Sequence, residues 1–346
     1  MRDNLQFQKD LLEWYHKNAR VLPWRNAPTP YRVWISEMML QQTRVDTVIP
    51  YYMRFISELP TIEALAAVEE DKLLKLWQGL GYYNRALNLK KAAQILVEEN
   101  EGKLPSEITE LVSLPGIGPY SAGSIASIAF GKAVPAVDGN VLRIMARILA
   151  IHEDINNGKI KKQMQEMMIQ LIPQKEPGSF NQALMDLGAL ICIPNGEPKC
   201  TECPVSKHCI AYGRGISSHI PIKVAKKKRI IDKKTVFIIL SKDKYALRKR
   251  EPGGLLPNLW EFPNEEGYLT ENQSKCVLKE MGITVKGIKE MKASKHIFSH
   301  REWHMKGYFI LVETDESTAD FVWVTKNEIN QRYSIPTAFK DFIKIL

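Results

Sequence analysis

Two groups of residues in this chain have the types and spacing to do chemistry. The first is Cys192, Cys200, Cys203 and Cys209, spaced C-x7-C-x2-C-x5-C and holding four of the five cysteines. Four thiolates this close together bind either a tetrahedral zinc or a [4Fe–4S] cluster. Zinc ribbons pair two separate C-x2-C units. Here one close pair is flanked by single cysteines, which leans towards the cluster. The fifth, Cys276, falls in a predicted helix and reads as a small core residue. The second group is Leu114-Pro115-Gly116-Ile117-Gly118-Pro119-Tyr120, a run of small residues after it, and then Val137-Asp138-Gly139-Asn140. Leu111, Val112 and Leu114 precede the glycines on a short helix, so the stretch reads as helix, hairpin, helix. The second helix would begin with unpaired N–H groups and the positive end of its dipole, a seat for a phosphate. The plainer alternative is that Gly116 and Gly118 only turn one helix into the next. Asp138 stands about twenty residues later, at the start of another helical pattern. A phosphate grip followed by one placed carboxylate suits an enzyme acting on a nucleotide within a polymer.

The elements that must position these groups are legible in the apolar periodicity. Up to about residue 215 it is helical: Phe7, Leu11 and Tyr15, then Val45, Val48, Ile49, Tyr52 and Phe55, then Leu89, Ala92, Ala93 and Leu96. Phe180, Leu184, Leu187 and Ile191 repeat the pattern before the cysteines. Pro30 ahead of Trp34, and Ser106 after Pro105, are start signals. The first domain is therefore expected to be all-α over 1–216, with the helix–hairpin–helix at 111–130 and the cysteine loop at 192–209. Lys226, Lys227, Lys228, Arg229, Lys233 and Lys234 crowd a stretch of little periodicity, read as a basic linker over 217–234 that can also lie along phosphates. Over 235–346 the pattern turns to an α+β domain. Val236–Leu240, Tyr245–Arg248, Trp303–Glu313 and Phe321–Val324 read as strands, and Glu271–Met281 as a helix ended by Gly282.

The totals bound the partners. A net charge of +9 and a pI near 9.1 point to a polyanion. No apolar run approaches the 18 or so residues of a membrane span, and the N-terminus opens no signal peptide. A cytoplasmic protein without a membrane partner is the expectation, and there clustered cysteines suggest metal rather than disulfides.

With these parts in this order, the chain resembles the endonuclease III, or helix–hairpin–helix, superfamily of DNA glycosylases, and within it the MutY-type adenine DNA glycosylases. The matching segments are Trp34-Ile35-Ser36-Glu37-Met38-Met39-Leu40-Gln41-Gln42-Thr43, Gly79-Leu80-Gly81-Tyr82-Tyr83, Leu114 to Gly118, Val137 to Val141 and the cysteine loop. They span nearly all of the first domain. The resemblance implies a six-helix barrel with a [4Fe–4S] module, followed by a Nudix-like domain. It also implies base-excision repair on double-stranded DNA, with adenine removed opposite 8-oxoguanine or guanine by a monomeric enzyme. One departure concerns the first cysteine gap, which holds seven residues where the family has six.

The chemistry of that reaction calls for two carboxylates. Breaking an N-glycosidic bond leaves electron density on the purine and positive charge on the sugar. One acid must protonate the base and one carboxylate must face the oxocarbenium ion, as in sugar hydrolysis. By resemblance Glu37 is the acid, which requires a pKa raised by burial, and Asp138 is the carboxylate, with Asn140 and Tyr120 in support. In endonuclease III a lysine at position 120 forms a Schiff base with the sugar and leads to strand cleavage. A phenol forms no imine, so base removal without a lyase step is implied. The target base must be flipped out of the duplex. Gln42, Thr43 and Tyr82 are implied to contact the opened helix, and Gly116 and Gly118 the backbone. Phe298-Ser299-His300 matches the loop that reads 8-oxoguanine. The segment corresponding to the Nudix helix, Ser274 to Gly282, has one acid and two lysines, too few acids to hold Mg²⁺, so this domain is expected to serve recognition. Two other readings stand beside this one: a thymine or uracil mismatch glycosylase, and a non-catalytic Fe–S protein that scans DNA.

Overall fold

The computed structural model describes residues 4–222, 228–315 and 320–346, so Lys226 and Lys227 of the basic stretch lie outside the described residues. The chain forms two compact units: 1–67 with 88–225, and 68–87 with 226–346.

The first unit is helical. The helix Asn4–Asn18 buries Phe7, Leu11 and Tyr15, the stripe its periodicity predicts, and Phe7 meets Phe180 edge-on at 6.4 Å. Three helices matter most for chemistry. Pro30–Leu40 starts with Pro30 in its first turn and Thr29 as cap, the Thr29 side chain accepting from Arg32 N. Pro119–Phe130 follows the hairpin, and Gly139–Leu149 is capped by Asp138. Pro30–Leu40 packs on Pro119–Phe130. The helix Pro177–Leu190 packs on both Pro119–Phe130 and Gly139–Leu149. Ser106 is not the cap of the helix it announces: Ile108–Ser113 is preceded by Glu107, which caps nothing through its side chain.

The second unit is built on a mixed sheet. Its strands are β1 (Ile230–Ser241), β2 (Lys244–Lys249), β3 (Trp260–Glu261), β4 (Asn264–Glu266), β5 (Val285–Ile297), β6 (Arg301–Val312) and β7 (Val322–Thr325), in the order β3-β2-β1-β6-β5, with β4 on β1 and β7 on β2. β1 and β6 run parallel and the other pairs antiparallel. Alternation along β1 sends Val236 and Ile238 into one core and Phe237 and Ile239 into the other, the second roofed by Leu278 of the helix Glu271–Glu280.

Three features depart from the expected boundaries. The strand begins at Ile230, so Lys233 and Lys234 are sheet residues rather than linker. Lys234 is buried, its ammonium donating to Asn264 Oδ1 (3.2 Å) and Glu266 Oε1 (2.6 Å). β5 lies outside the strands that alternation marks, because as an edge strand with two register shifts it alternates poorly. Residues 68–87, expected in the helical domain, pack instead with the second unit. There Lys75 Nζ donates to the Ile329 and Tyr333 carbonyls, Gln78 Nε2 to the Ile335 carbonyl, and Ser334 Oγ to the Leu74 carbonyl. The carbonyls of Ile329, Tyr333 and Ile335 thereby gain donors from the 68–87 segment.

Candidate active site

Glu37 lies in the Pro30–Leu40 helix and is buried, between Trp34 and Met38 on its own helix and the hairpin helix facing it. Burial pushes its carboxyl up to about 7. The Tyr120 and Ser124 hydroxyls beside it pull the other way, Asp138 adds to the rise, and Arg25 opposes it. Glu37 Oε2 has no hydrogen-bond partner among the described residues. A half-protonated buried carboxyl with an unspent oxygen is equipped to hand a proton to something that enters.

That something has a place to enter. A solvent-connected cleft has Glu37 in its wall with Trp24, Arg25, Leu40, Gln182 and Met185. Tyr120 stands between the two carboxylates in effect. Burial, then the Glu37 and Asp138 charges, raise its phenol well above the ordinary tyrosine range, so it is a proton-bearing donor at any working pH.

Asp138 sits where its sequence position predicts, one residue before a helix. Its Oδ1 accepts from Asn140 N (2.9 Å) and Val141 N (2.8 Å), and its Oδ2 from Asn140 Nδ2 (2.7 Å). The carboxylate is thereby held in one orientation by three donors. Asn140 is held in turn: Arg143 Nη1 donates to its Oδ1 (3.1 Å), while Arg143 Nε donates to the Cys192 carbonyl (2.9 Å) and Nη2 to the Gly188 carbonyl (2.8 Å). Arg147 Nη1 reaches Cys192 Sγ (3.2 Å). Sequence reasoning missed both arginines. Their signal was two arginines four apart on a helix otherwise apolar on that face, which is unusual unless they are bonded inside.

The hairpin has the geometry of an anion seat. Gly116 takes φ +82, Ile117 N closes the turn on the Leu114 carbonyl (3.1 Å), and Gly118 starts the next helix with no side chain capping it. A Cβ on Gly118 would meet nothing within 4 Å, so the helix N-terminus is open.

The four cysteines line one cavity with Ile144, Leu187 and Val205. Burial raises the Cys203 thiol to about 12, with Cys192, Cys209 and Cys200 adding to it, and Cys209 is raised in the same way. Among the described residues no three Cys, His, Asp or Glu side chains gather as they would round a single ion. Burial works against a bare thiolate at Cys203 and Cys209, and four cysteine sulfurs round one cavity fit the donor set of a cluster. Arg147 beside Cys192 adds a positive charge suited to such an anionic group.

In the second unit, Tyr82 and Ser299, 217 residues apart, are brought together: Tyr82 Oη and Ser299 Oγ stand 2.7 Å apart. Tyr82 is exposed with φ +48, and Gln42 in the first unit is likewise exposed with φ +56, both in the left-handed region that non-glycine residues avoid. Thr43 follows Gln42, its hydroxyl turned back to the Gln41 carbonyl (3.4 Å). Ser299 and His300 are exposed on the β5–β6 turn, whereas Phe298 is packed edge-on against His296 (4.6 Å) and Trp303 (5.0 Å). Phe298 thus anchors the turn rather than being presented by it. The helix Glu271–Glu280 carries Lys275, paired with Glu271, and Lys279 in place of an acidic cluster.

Comparison with known proteins bears on the whole chain. Residues 35–170 match the family model for HhH-GPD superfamily base excision DNA repair proteins, and residues 235–344 match the NUDIX domain. The adenine DNA glycosylase of Buchnera aphidicola subsp. Schizaphis graminum is 40% identical over 302 residues, covering 86% of both chains. This chain belongs to the adenine DNA glycosylase family. The family extends to the human adenine DNA glycosylase, 32% identical over 403 residues, 98% of this chain and 73% of that one. Among solved structures, a thermostable thymine-DNA glycosylase superposes with a TM-score of 0.56 at 29% identity, over 61% of this chain and 97% of its own. Endonuclease III in a non-covalent DNA complex gives 0.52 at 22% identity, over 62% and 99%, and so shares the fold. As a member of this glycosylase family, the chain pairs an endonuclease III-like helical unit with a Nudix-like mixed sheet. Among the described residues no helix is long and apolar enough to cross a membrane.

Proposed function

We propose that this protein hydrolyses adenine from duplex DNA where it faces 8-oxoguanine or guanine, and leaves the strand uncut. The observation that carries the reading is the pairing of a buried carboxyl raised to about 7, Glu37, with a second carboxylate, Asp138, fixed by three donors. The flipped adenine enters the Glu37 cleft. Glu37 gives its proton to a ring nitrogen of the purine as the C1′–N bond breaks, and the bonding electrons leave with the base. Asp138 faces the positive sugar. Water adds to C1′, and the proton it releases restores Glu37. Tyr120 donates a hydrogen bond and cannot form an imine, so no covalent amine adduct forms and the strand stays uncut. The hairpin at Gly116–Gly118 grips a phosphate without reading sequence. Gln42, Thr43 and Tyr82 occupy the opened duplex, and Ser299 with His300 reads the 8-oxoguanine edge. A single copy of the chain carries all of these groups. Cys192, Cys200, Cys203 and Cys209 would hold a [4Fe–4S] cluster, which supplies a rigid anionic cross-link for the loop. Arg143 and Arg147 tie that loop to the Asp138 helix.

The test is single-turnover base release from duplexes holding one A·8-oxoguanine, A·G, T·G or U·G pair. Adenine alone should be released, with the strand intact and no adduct trapped by borohydride. Ser299→Ala should narrow the preference for A·8-oxoguanine over A·G. Release of thymine or uracil, or strand incision by the pure protein, would overturn the reading.

A further inference from the structure

Asp186 lies in the helix Pro177–Leu190 with its side chain wholly buried, yet it belongs to neither of the carboxylates described above. Among the described residues, every hydrogen bond to its carboxylate comes from two arginines. Arg20 donates through its main-chain N (3.1 Å to Oδ2), Nε (2.8 Å to Oδ1) and Nη2 (2.7 Å to Oδ1), and Arg25 through Nη1 (2.8 Å to Oδ2) and Nη2 (3.0 Å to Oδ1). Arg20 and Arg25 both line the cleft that holds Glu37. Two guanidiniums in the wall of a partly apolar cleft are an unusual choice if the only task is to fill space. One shared buried carboxylate cancels half their charge and fixes their planes.

We propose that Asp186 is a positioning residue for base release, holding Arg25 and Arg20 in the wall of the Glu37 cleft and limiting the positive field that the catalytic acid feels. The inference rests on the reading of Glu37 as the proton donor. The charged and titratable groups facing Glu37 are Tyr120 from the hairpin helix, Asp138 from the cap of the next helix, and Arg25 from the short helix Pro23–Asn26. Of the two arginines in the cleft wall, Arg25 is the one whose charge acts on the Glu37 carboxyl, and it favours the ionised, proton-empty carboxylate. Asp186 offsets that charge. Arg25 has other holds: its Nη1 also donates to the Arg20 carbonyl (3.2 Å), and its guanidinium lies over the Tyr15 ring at 5.7 Å. An uncharged, isosteric replacement of Asp186 therefore leaves Arg25 in place but uncompensated.

The experiment is the pH dependence of single-turnover adenine release by the full chain, for the wild type, Asp186→Asn, Arg25→Gln and Glu37→Gln. Wild-type release should fall along a basic limb as Glu37 loses its proton. Asp186→Asn should move that limb down by about one pH unit, about a tenfold loss of rate on the limb. Arg25→Gln, which removes the cation itself, should move it up. A limb unmoved or moved up in Asp186→Asn, with only the melting temperature lowered, means Asp186 is structural and overturns the proposal. Should Asp186→Asn fail to fold, Arg25→Gln decides: an upward limb supports the account and an unmoved one contradicts it. A wild-type profile with no basic limb, or one kept unchanged by Glu37→Gln, is a different result. It would remove Glu37 as the acid rather than Asp186 as its support.

Discussion

Glu37 shows how one residue trades stability for function. Its carboxyl titrates near 4.5 in the unfolded chain and near 7 in the fold, because burial disfavours the anion. The folded state therefore binds the proton more tightly. Its contribution is fully present below about pH 4.5 and is lost as pH rises through 7. The difference corresponds to about 3 kcal/mol. Glu37→Gln cannot ionise, so chemical denaturation between pH 5 and 8 should show the wild type losing stability that the variant keeps. Equal pH dependence in both would mean that the carboxyl is not shielded as described. The burial itself was legible in advance, since Trp34, Met38 and Met39 surround Glu37 in sequence. Asp186 was not, because nothing local marks an aspartate whose partners lie 161 and 166 residues away.

At the scale of the element, the hairpin is the part most completely written in its own residues. Gly116 needs its missing side chain twice over. Its φ is +82, and an added Cβ would lie 2.8 Å from Asn88 Cβ and 3.1 Å from Met38 Cε. Gly118, with φ −89 and open space around it, needs neither allowance. Gly116→Ala should therefore cost about 1–3 kcal/mol and lower the melting temperature, while Gly118→Ala should leave it nearly unchanged. Comparable losses in the two variants would show that the turn is held by something other than Gly116. The contact with Met38 also explains why the turn matters to chemistry, for Met38 is the neighbour of Glu37. The same legibility did not extend to β5, whose register shifts and exposed lysines hide the alternation that marks a strand. Nor did it extend to Lys234, whose charge reads as linker until Asn264 and Glu266 are brought round it by β4.

At the scale of the whole molecule, the order of motifs pointed to a helical part and a Nudix-like part, but not to which unit each segment belongs. Residues 68–87 join the sheet-bearing unit, so Tyr82 shares a body with Ser299, although the two lie 217 residues apart in sequence. That partition follows from bonds made by Lys75, Gln78 and Ser334, none of which belongs to a recognisable motif. In the helical unit the cysteine loop and Asp138 are likewise joined through Arg143 and Asn140, a connection of four groups that spacing cannot display. What the motifs made legible is the family, and with it the two carboxylates proposed to act; what they concealed is the scaffolding that orients each.

In the proposed reaction, Glu37 delivers the proton that releases adenine. Single-turnover excision from an A·8-oxoguanine duplex, with enzyme in excess over its measured Kd, compares the wild type with Glu37→Gln after chemistry has been separated from binding. The predicted result is a loss of about 10²–10⁴ in rate, with duplex affinity retained. Adenine release by Glu37→Gln at the wild-type rate would contradict it.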